Sequence, residues 1–283
     1  MFNKLKKTPI IKIDNAFFKR EDLNPSGSVK DRAVLSQLSW LKKNELNKAA
    51  ISSSGNSAIS ALYWGKKMGI EITVFVSPKI NKAKLTKLRK LKGKIIITKK
   101  PISQCFRLCQ AESIYNLKQS QDKKAREGFE LLGKEIYAQL GMPQSIFFPV
   151  SSGTTLLGVS DFFKKSGKIP KLFLVQSAAH CPLASQFDKN FYPEKSNITD
   201  ALVAKYIPKK EEILKIIKQS KGTGIVVQTK EILRAHDWLK SKNILTSYEG
   251  ALALAGFWKI KNKIDIDKPL CLLTGKYYKN EKN

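Results

Sequence analysis

Between Ala49 and Leu273 the chain repeats one local pattern: a short β-branched or aromatic run, a turn, then a stretch with apolar residues at helical spacing. Ala49–Ser52 leads through Ser-Ser-Gly-Asn into a helix-like segment, Ala58–Met68, that stops at Gly69. Glu71–Val76 leads through Pro78 into Lys82–Leu91, and Ile95–Thr98 precedes a helical pattern over Ser103–Leu117. Ile146–Val150 passes through Ser-Ser-Gly-Thr into Thr155–Lys165; Lys171–Gln176 follows, and Pro269–Leu273 is the last run. Alternation of this kind predicts an α/β fold built of βα units on open, mainly parallel, twisted sheets flanked by helices. The polar stretch Lys118–Glu127 reads as a crossing between two lobes. It predicts a smaller lobe over 46–123 and a larger one made of 1–45 and 124–283.

With 283 residues, 42% of them hydrophobic, the chain is long enough and apolar enough to bury a core. Its apolar runs are far shorter than the roughly 18 residues of a membrane helix. The basic N-terminus carries no sustained apolar stretch or small-residue cleavage site, so the expected location is the cytoplasm. Lys and Arg number 52 against 23 Asp and Glu, a formal charge of +29. Those lysines are spread along the chain, with neither a basic tail nor interleaved aromatics, so the charge reads as solvated surface and not as a nucleic-acid interface. It suits capture of small anions. Cys105, Cys109, Cys181 and Cys271 are too sparse for a disulfide framework, and with only His180 and His236 beside them no metal site is expected.

In open α/β sheets ligands bind beyond the carboxyl ends of the strands. Three segments rich in Ser, Gly, Asn and Thr fall at such ends: 52–57, 151–155 and 274–275. A fourth, Asn24–Asp31, precedes a helix. In it Ser28 is the expected N-cap with Asp31 three places on, and Val29, Ala33, Leu38 and Leu41 form a stripe for burial. Lys30 then sits in the first turn, where the helix dipole and burial both disfavour an ammonium. A lysine so placed attacks aldehydes.

The segment Lys19-Arg-Glu-Asp-Leu-Asn-Pro-Ser-Gly-Ser-Val-Lys-Asp-Arg32 resembles the lysine motif of the fold-type II pyridoxal-phosphate (PLP) enzymes. That group includes threonine synthase, cysteine synthase, threonine dehydratase and the β chain of tryptophan synthase. The resemblance covers about Ile11 to Lys276, and it implies the tryptophan synthase β-like fold with PLP as cofactor. By the resemblance Lys30 forms the cofactor imine and is the catalytic residue. Ser53-Ser-Gly-Asn-Ser57 is similar to the family's asparagine loop. It implies that Asn56 donates to the phenolic oxygen of the ring, and that Ser53, Ser54, Gly55 and Ser57 hold the substrate carboxylate. Ser151, Ser152, Gly153, Thr154 and Thr155 stand where the family has its glycine-rich phosphate loop. Only Gly153 is left there, and side chains at positions needing positive φ would force a different loop path. Leu272-Leu-Thr-Gly275 resembles the threonine-synthase type of C-terminal motif, with Thr274 on the pyridine nitrogen; Glu249 matches a position near the active cleft.

The combination favours the threonine-synthase and threonine-dehydratase branch. The leading expectation is a PLP-dependent lyase of threonine-synthase type, converting O-phosphohomoserine and water to threonine and phosphate. The leaving phosphate needs a cation, for which Lys19 and Arg126 are the candidates, although the family's Asn-Pro-x-Arg element is not intact at Asp122–Arg126. The alternatives are β-elimination or β-replacement on serine, threonine or O-acetylserine, or a relative that binds PLP or an amino acid without catalysis. The expected partner is a small anionic amino acid, with no membrane and no nucleic acid; many members of the group are homodimers.

Overall fold

The computed structural model describes residues 5–80, 82–199, 202, 204, 206–264, 266 and 268–278. They divide into two compact units, one formed by the described residues of 5–6, 24–128 and 278, the other by those of 7–23 and 129–277.

The first unit holds a four-stranded parallel sheet of β3 (Lys48–Ser52), β4 (Glu71–Val76), β5 (Lys94–Ile97) and β6 (Tyr115–Asn116), in the order β5-β4-β3-β6. Its helices are α1 (Lys30–Lys43), α2 (Asn56–Met68), α3 (Lys82–Lys90) and α4 (Pro101–Ala111). The expected burial stripe of α1 holds, since Val29, Ala33, Leu38 and Leu41 are all buried. Val34, Leu35, Leu38 and Leu41 share one apolar cluster with Ile51, Ala58, Leu62 and Val74. That shared burial places α1, and Lys30 with it, in the same unit as the asparagine loop, whereas the sequence pattern assigned residues 1–45 to the larger lobe. The helical pattern over Ser103–Leu117 also ends early: α4 stops at Ala111, and the chain turns to form β6 beside β3.

In the second unit a six-stranded sheet runs β1-β2-β10-β7-β8-β9. It comprises β1 (Ile10–Ile13), β2 (Ala16–Lys19), β7 (Ser145–Pro149), β8 (Lys171–Ser177), β9 (Thr223–Val227) and β10 (Pro269–Leu272). All pairings are parallel except the β1–β2 hairpin. Its helices are α5 (Lys123–Leu140) from Phe129 onward, α6 (Thr154–Lys165), α7 (Lys210–Gln219), α8 (Thr229–Ser241) and α9 (Tyr248–Ile260). The stretch read as a crossing, Lys118–Glu127, is helical from Lys123 onward, and the division between the units falls inside α5. Helix α9 is buried along nearly its whole length because its small and apolar residues, Gly250-Ala-Leu-Ala-Leu-Ala-Gly256, pack against the sheet. Phe147 and Phe173 stack at 4.6 Å on neighbouring strands beneath it. Among the described residues no helix is long and apolar enough to cross a membrane.

Lys19 ends β2 and is wholly buried. Its ammonium donates to Glu135 Oε1 at 2.6 Å, to the Thr8 carbonyl at 2.6 Å and to Gln139 Oε1 at 2.8 Å. Thr8 in turn donates its backbone N–H to Glu135 Oε1 at 2.9 Å and its hydroxyl to Glu21 Oε1 at 2.5 Å. A buried ammonium must be paired to survive desolvation, and this network satisfies it. The expectation that Lys19 meets the substrate's phosphate is therefore corrected: its donors are engaged inside the second unit, tying the start of that unit to α5. Lys19→Met leaves the Glu135 carboxylate buried without its cation and is expected to lower stability by about 3–5 kcal/mol, read from the urea midpoint. Lys19→Met/Glu135→Leu is expected to recover much of that loss.

Candidate active site

The loop before Lys30 is a tight turn. The Gly27 N–H donates to the Asn24 carbonyl at 2.7 Å, and Gly27 takes φ +92°, which a side chain would oppose. Ser28 does not form the expected capping box. Helix α1 begins at Lys30, whose N–H donates to Ser28 Oγ at a long 3.4 Å, and the Asp31 carboxylate bonds to Ser26 and Ser60 instead of completing a box. Lys30 is half-buried in the first turn of α1, and desolvation lowers its ammonium to about 8. At neutral pH roughly a tenth of such a group is free amine, hundreds of times the fraction for an exposed lysine of pKa about 10.4.

The asparagine loop lies in the same unit. It leaves β3 at Ser52 and enters α2 at Asn56, with extended backbone at Gly55 and no side-chain cap, so the first N–H groups of α2 have no capping side chain. A Cβ built on Gly55 meets nothing within 4 Å, so the loop has open space over its glycine. Ser53, Gly55, Asn56 and Ser57 are half-buried, and Ser54 is exposed. The Ser57 hydroxyl donates to Gln119 Oε1 at 3.3 Å. Gln119 is itself buried, and its amide nitrogen has no hydrogen-bond partner among the described residues. Sequence reasoning missed this residue. Because β6 runs parallel beside β3, the turn after β6 comes out next to the turn after β3, which brings Gln119 to Ser57. Arg126 lies in the first turn of α5, half-buried, also in this unit.

The second unit carries the other expected site residues. Strands β7 and β10 are parallel neighbours, so the phosphate-loop segment after β7 and Thr274 after β10 leave the same edge of the sheet. Within 151–155 only Gly153 has positive φ, at +80°, and a Cβ there would come within 2.2 Å of the Ile213 side chain. Ser151 and Thr154 therefore occupy positions that ask for no left-handed backbone, and the glycine-poor sequence fits the loop. Ser152 Oγ and Thr154 Oγ1 lie 3.0 Å apart at the start of α6, beside its unpaired N-terminal N–H groups. Such a start is an anion site by virtue of its N–H groups and dipole. Thr274 is half-buried. The next carbonyl, Gly275, accepts from Ser247 N at 2.7 Å and Thr246 Oγ1 at 2.8 Å, which fixes the start of α9 to the Thr274 segment. Glu249, in the first turn of that helix, is buried.

Each unit by itself carries features that fit PLP: the first a desolvated lysine amine and a buried amide N–H beside the asparagine loop, the second a helix start with two hydroxyls and a left-handed glycine, suited to a phosphate. Comparison with known proteins agrees. The chain is 25% identical to a biosynthetic threonine dehydratase of Solanum lycopersicum over 88% of its own length, and spans 44% of that enzyme. It is 25% identical to a threonine synthase of Methanosarcina acetivorans over 95% of its length, and spans 72% of that protein. Its fold is similar to that of maize serine racemase, with a TM-score of 0.86 at 18% identity over 98% of this chain and 90% of that one. The family model of the pyridoxal-phosphate dependent enzymes matches residues 2–275, and the chain belongs to that family, with pyridoxal phosphate as its cofactor.

Proposed function

We propose that the chain is a PLP-dependent lyase that eliminates water from a short hydroxyamino acid such as serine or threonine, giving a 2-oxo acid and ammonia. The observation that carries this choice is the burial of Lys19 in its ion pair with Glu135. A phosphorylated substrate such as O-phosphohomoserine needs a cation for its distal group, and the stronger of the two sequence candidates is engaged elsewhere. A hydroxyamino acid needs none. The threonine-synthase reading keeps the similarity to the Methanosarcina acetivorans protein and Arg126 as its remaining cation.

When bound, PLP supplies a ring that delocalises negative charge developing at the amino acid's Cα. In the proposed assignment Lys30 would hold the cofactor through Nζ, and its displaced amine would take the Cα proton and return it to the departing hydroxyl, which leaves as water. Its low pKa suits that double duty near neutral pH. Ser53, Ser54, Gly55 and Ser57 bind the substrate carboxylate with the Gln119 amide, and Asn56 donates to the cofactor's phenolic oxygen. Ser151, Ser152, Gly153, Thr154 and Thr155 hold the phosphate. Thr274 offers the pyridine nitrogen a neutral hydroxyl, which enforces no ring protonation and so favours elimination over transamination. Glu249 stays assigned to the substrate side.

Incubating the holoenzyme with serine, threonine, O-phosphohomoserine, or O-acetylserine plus sulfide tests the reading. Release of 2-oxo acid from serine or threonine is expected, reduced about 10²–10⁴-fold or more in Lys30→Ala, which also loses the visible absorbance of bound cofactor. Phosphate release from O-phosphohomoserine in place of 2-oxo acid formation would establish the threonine-synthase reading. Gly153→Ala, strained in φ and crowded by Ile213, is expected to weaken PLP binding at least tenfold in fluorescence titration.

Lys30 also gives a stability signature in the cofactor-free protein. Its folded pKa of about 8 lies below the unfolded value near 10.5, so between those values the unfolded chain binds more protons and stability rises with pH. Below pH 8 the ammonium is a standing penalty. Lys30→Met is expected to be more stable than wild type at pH 7, with the gap closing between pH 8 and 10.5 in urea titrations. A constant gap across that range refutes a desolvated lysine.

A further inference from the structure

Donors from two segments converge on Asp31, the residue after Lys30. Ser26 donates its backbone N–H to Oδ2 at 2.8 Å and its hydroxyl to Oδ1, both from the turn that precedes α1. The Ser60 hydroxyl donates to Oδ1 at 2.6 Å from α2, one helical turn beyond Asn56. Asp31 and Ser60 are both fully buried. Burial raises the Asp31 carboxyl above the usual carboxylate range, and the hydrogen bonds from Ser26 and Ser60 oppose that rise.

We infer that Asp31 is a positioning residue, fixing the Lys30 amine against the asparagine loop through Ser26 on one side and Ser60 on the other. The inference rests on the assignment of Lys30 and 53–57 to the cofactor site. Adjacent residues of a helix project in different directions, so Asp31 does not share the surroundings of the Lys30 side chain. Its influence passes through backbone. The Asn24–Gly27 turn, with its left-handed glycine, is held by two bonds to one carboxylate, and the same carboxylate clamps α1 to the first turns of α2. Loss of the clamp frees Lys30 and Asn56 to drift independently, and misplacement by 1 Å costs on the order of 10²-fold in rate.

The test is capture of PLP by the full-length chain, trapped with borohydride and located at Lys30 by peptide mass. The hydride adds to the carbon–nitrogen double bond that Lys30 and the aldehyde form with loss of water. Asp31→Ala is expected to slow trapping at least tenfold, to weaken the circular-dichroism band of bound cofactor and to lower kcat about 100-fold while KM moves less than about threefold. Asp31→Asn, which keeps an acceptor for the Ser26 N–H, is expected to recover part of both losses. Ser60→Ala removes only the tie to α2 and is expected to slow trapping several-fold. If Asp31→Ala fails to fold, Ser60→Ala decides, and trapping at the wild-type rate there overturns the inference. So does an Asp31→Ala protein that is less stable yet traps PLP, and shows the dichroic band, as wild type does. A wild-type chain that does not trap PLP at Lys30 overturns the cofactor assignment and the inference together; normal trapping in wild type and Asp31→Ala overturns the inference alone.

Discussion

A lysine ammonium set at the start of a helix and stripped of much of its water is held at a cost in this molecule. Desolvation brings it to about 8, and the positive end of α1 adds to the discomfort. A helix start free to move would relieve the strain by swinging the amine into solvent. It is restrained by the apolar packing of α1 with α2 and β3, where Val34, Leu38, Ala58 and Leu62 are almost wholly enclosed, and by the carboxylate of Asp31. The placing of Nζ thus depends on burial several residues away from it.

The two sheets repeat one device. In each unit, parallel neighbours deliver their carboxyl ends, and the polar turns that follow, to the same edge: β3 with β6 in the first, β7 with β10 in the second. The turns then differ in chemistry. The first pair brings hydroxyls and amides, Ser53–Ser57 with Gln119, suited to a carboxylate. The second brings a helix start with two hydroxyls and a neutral threonine, suited to phosphate and to a pyridine nitrogen. A single topological rule therefore sets polar donors at the strand ends of each unit.

Local patterns in the sequence carried much of this. The strand at Glu71–Val76 and the helix ending at Met68 before Gly69 are legible because apolar periodicity and a left-handed stop, φ +67° at Gly69, are local properties. The strand-end turns were legible for the same reason, whereas Lys30 was singled out by the resemblance of its segment to a family motif. What stayed hidden depends on partners distant in sequence. Lys19 reads as an available cation until Glu135, 116 residues on, takes it. Gln119 is one polar residue in a polar run until β6 pairs with β3. The weak β6, two residues long, carries no periodicity of its own and is a strand only because β3 offers it hydrogen bonds. Asp31 looked like half of a capping box, and only the position of Ser60 shows otherwise.

The charge imbalance gives the buried and half-buried carboxylates their weight. Lysines outnumber acids heavily, and most of them lie in solvent, where their charge costs little. The acids are used differently. Asp31 holds a turn and a helix, Asp122 accepts from the Lys124 N–H at 2.7 Å and from Tyr115 and Gln37, and Glu194 accepts from the Thr229 N–H and hydroxyl. Asp188 accepts from the Val226 N–H at 3.0 Å and pairs with Lys259. Each is an acceptor with lone pairs enough to satisfy several donors where chain segments meet, which no ammonium can be. Carboxylates at such junctions fix where chain segments stand, and Asp31 does so for the turn that precedes Lys30.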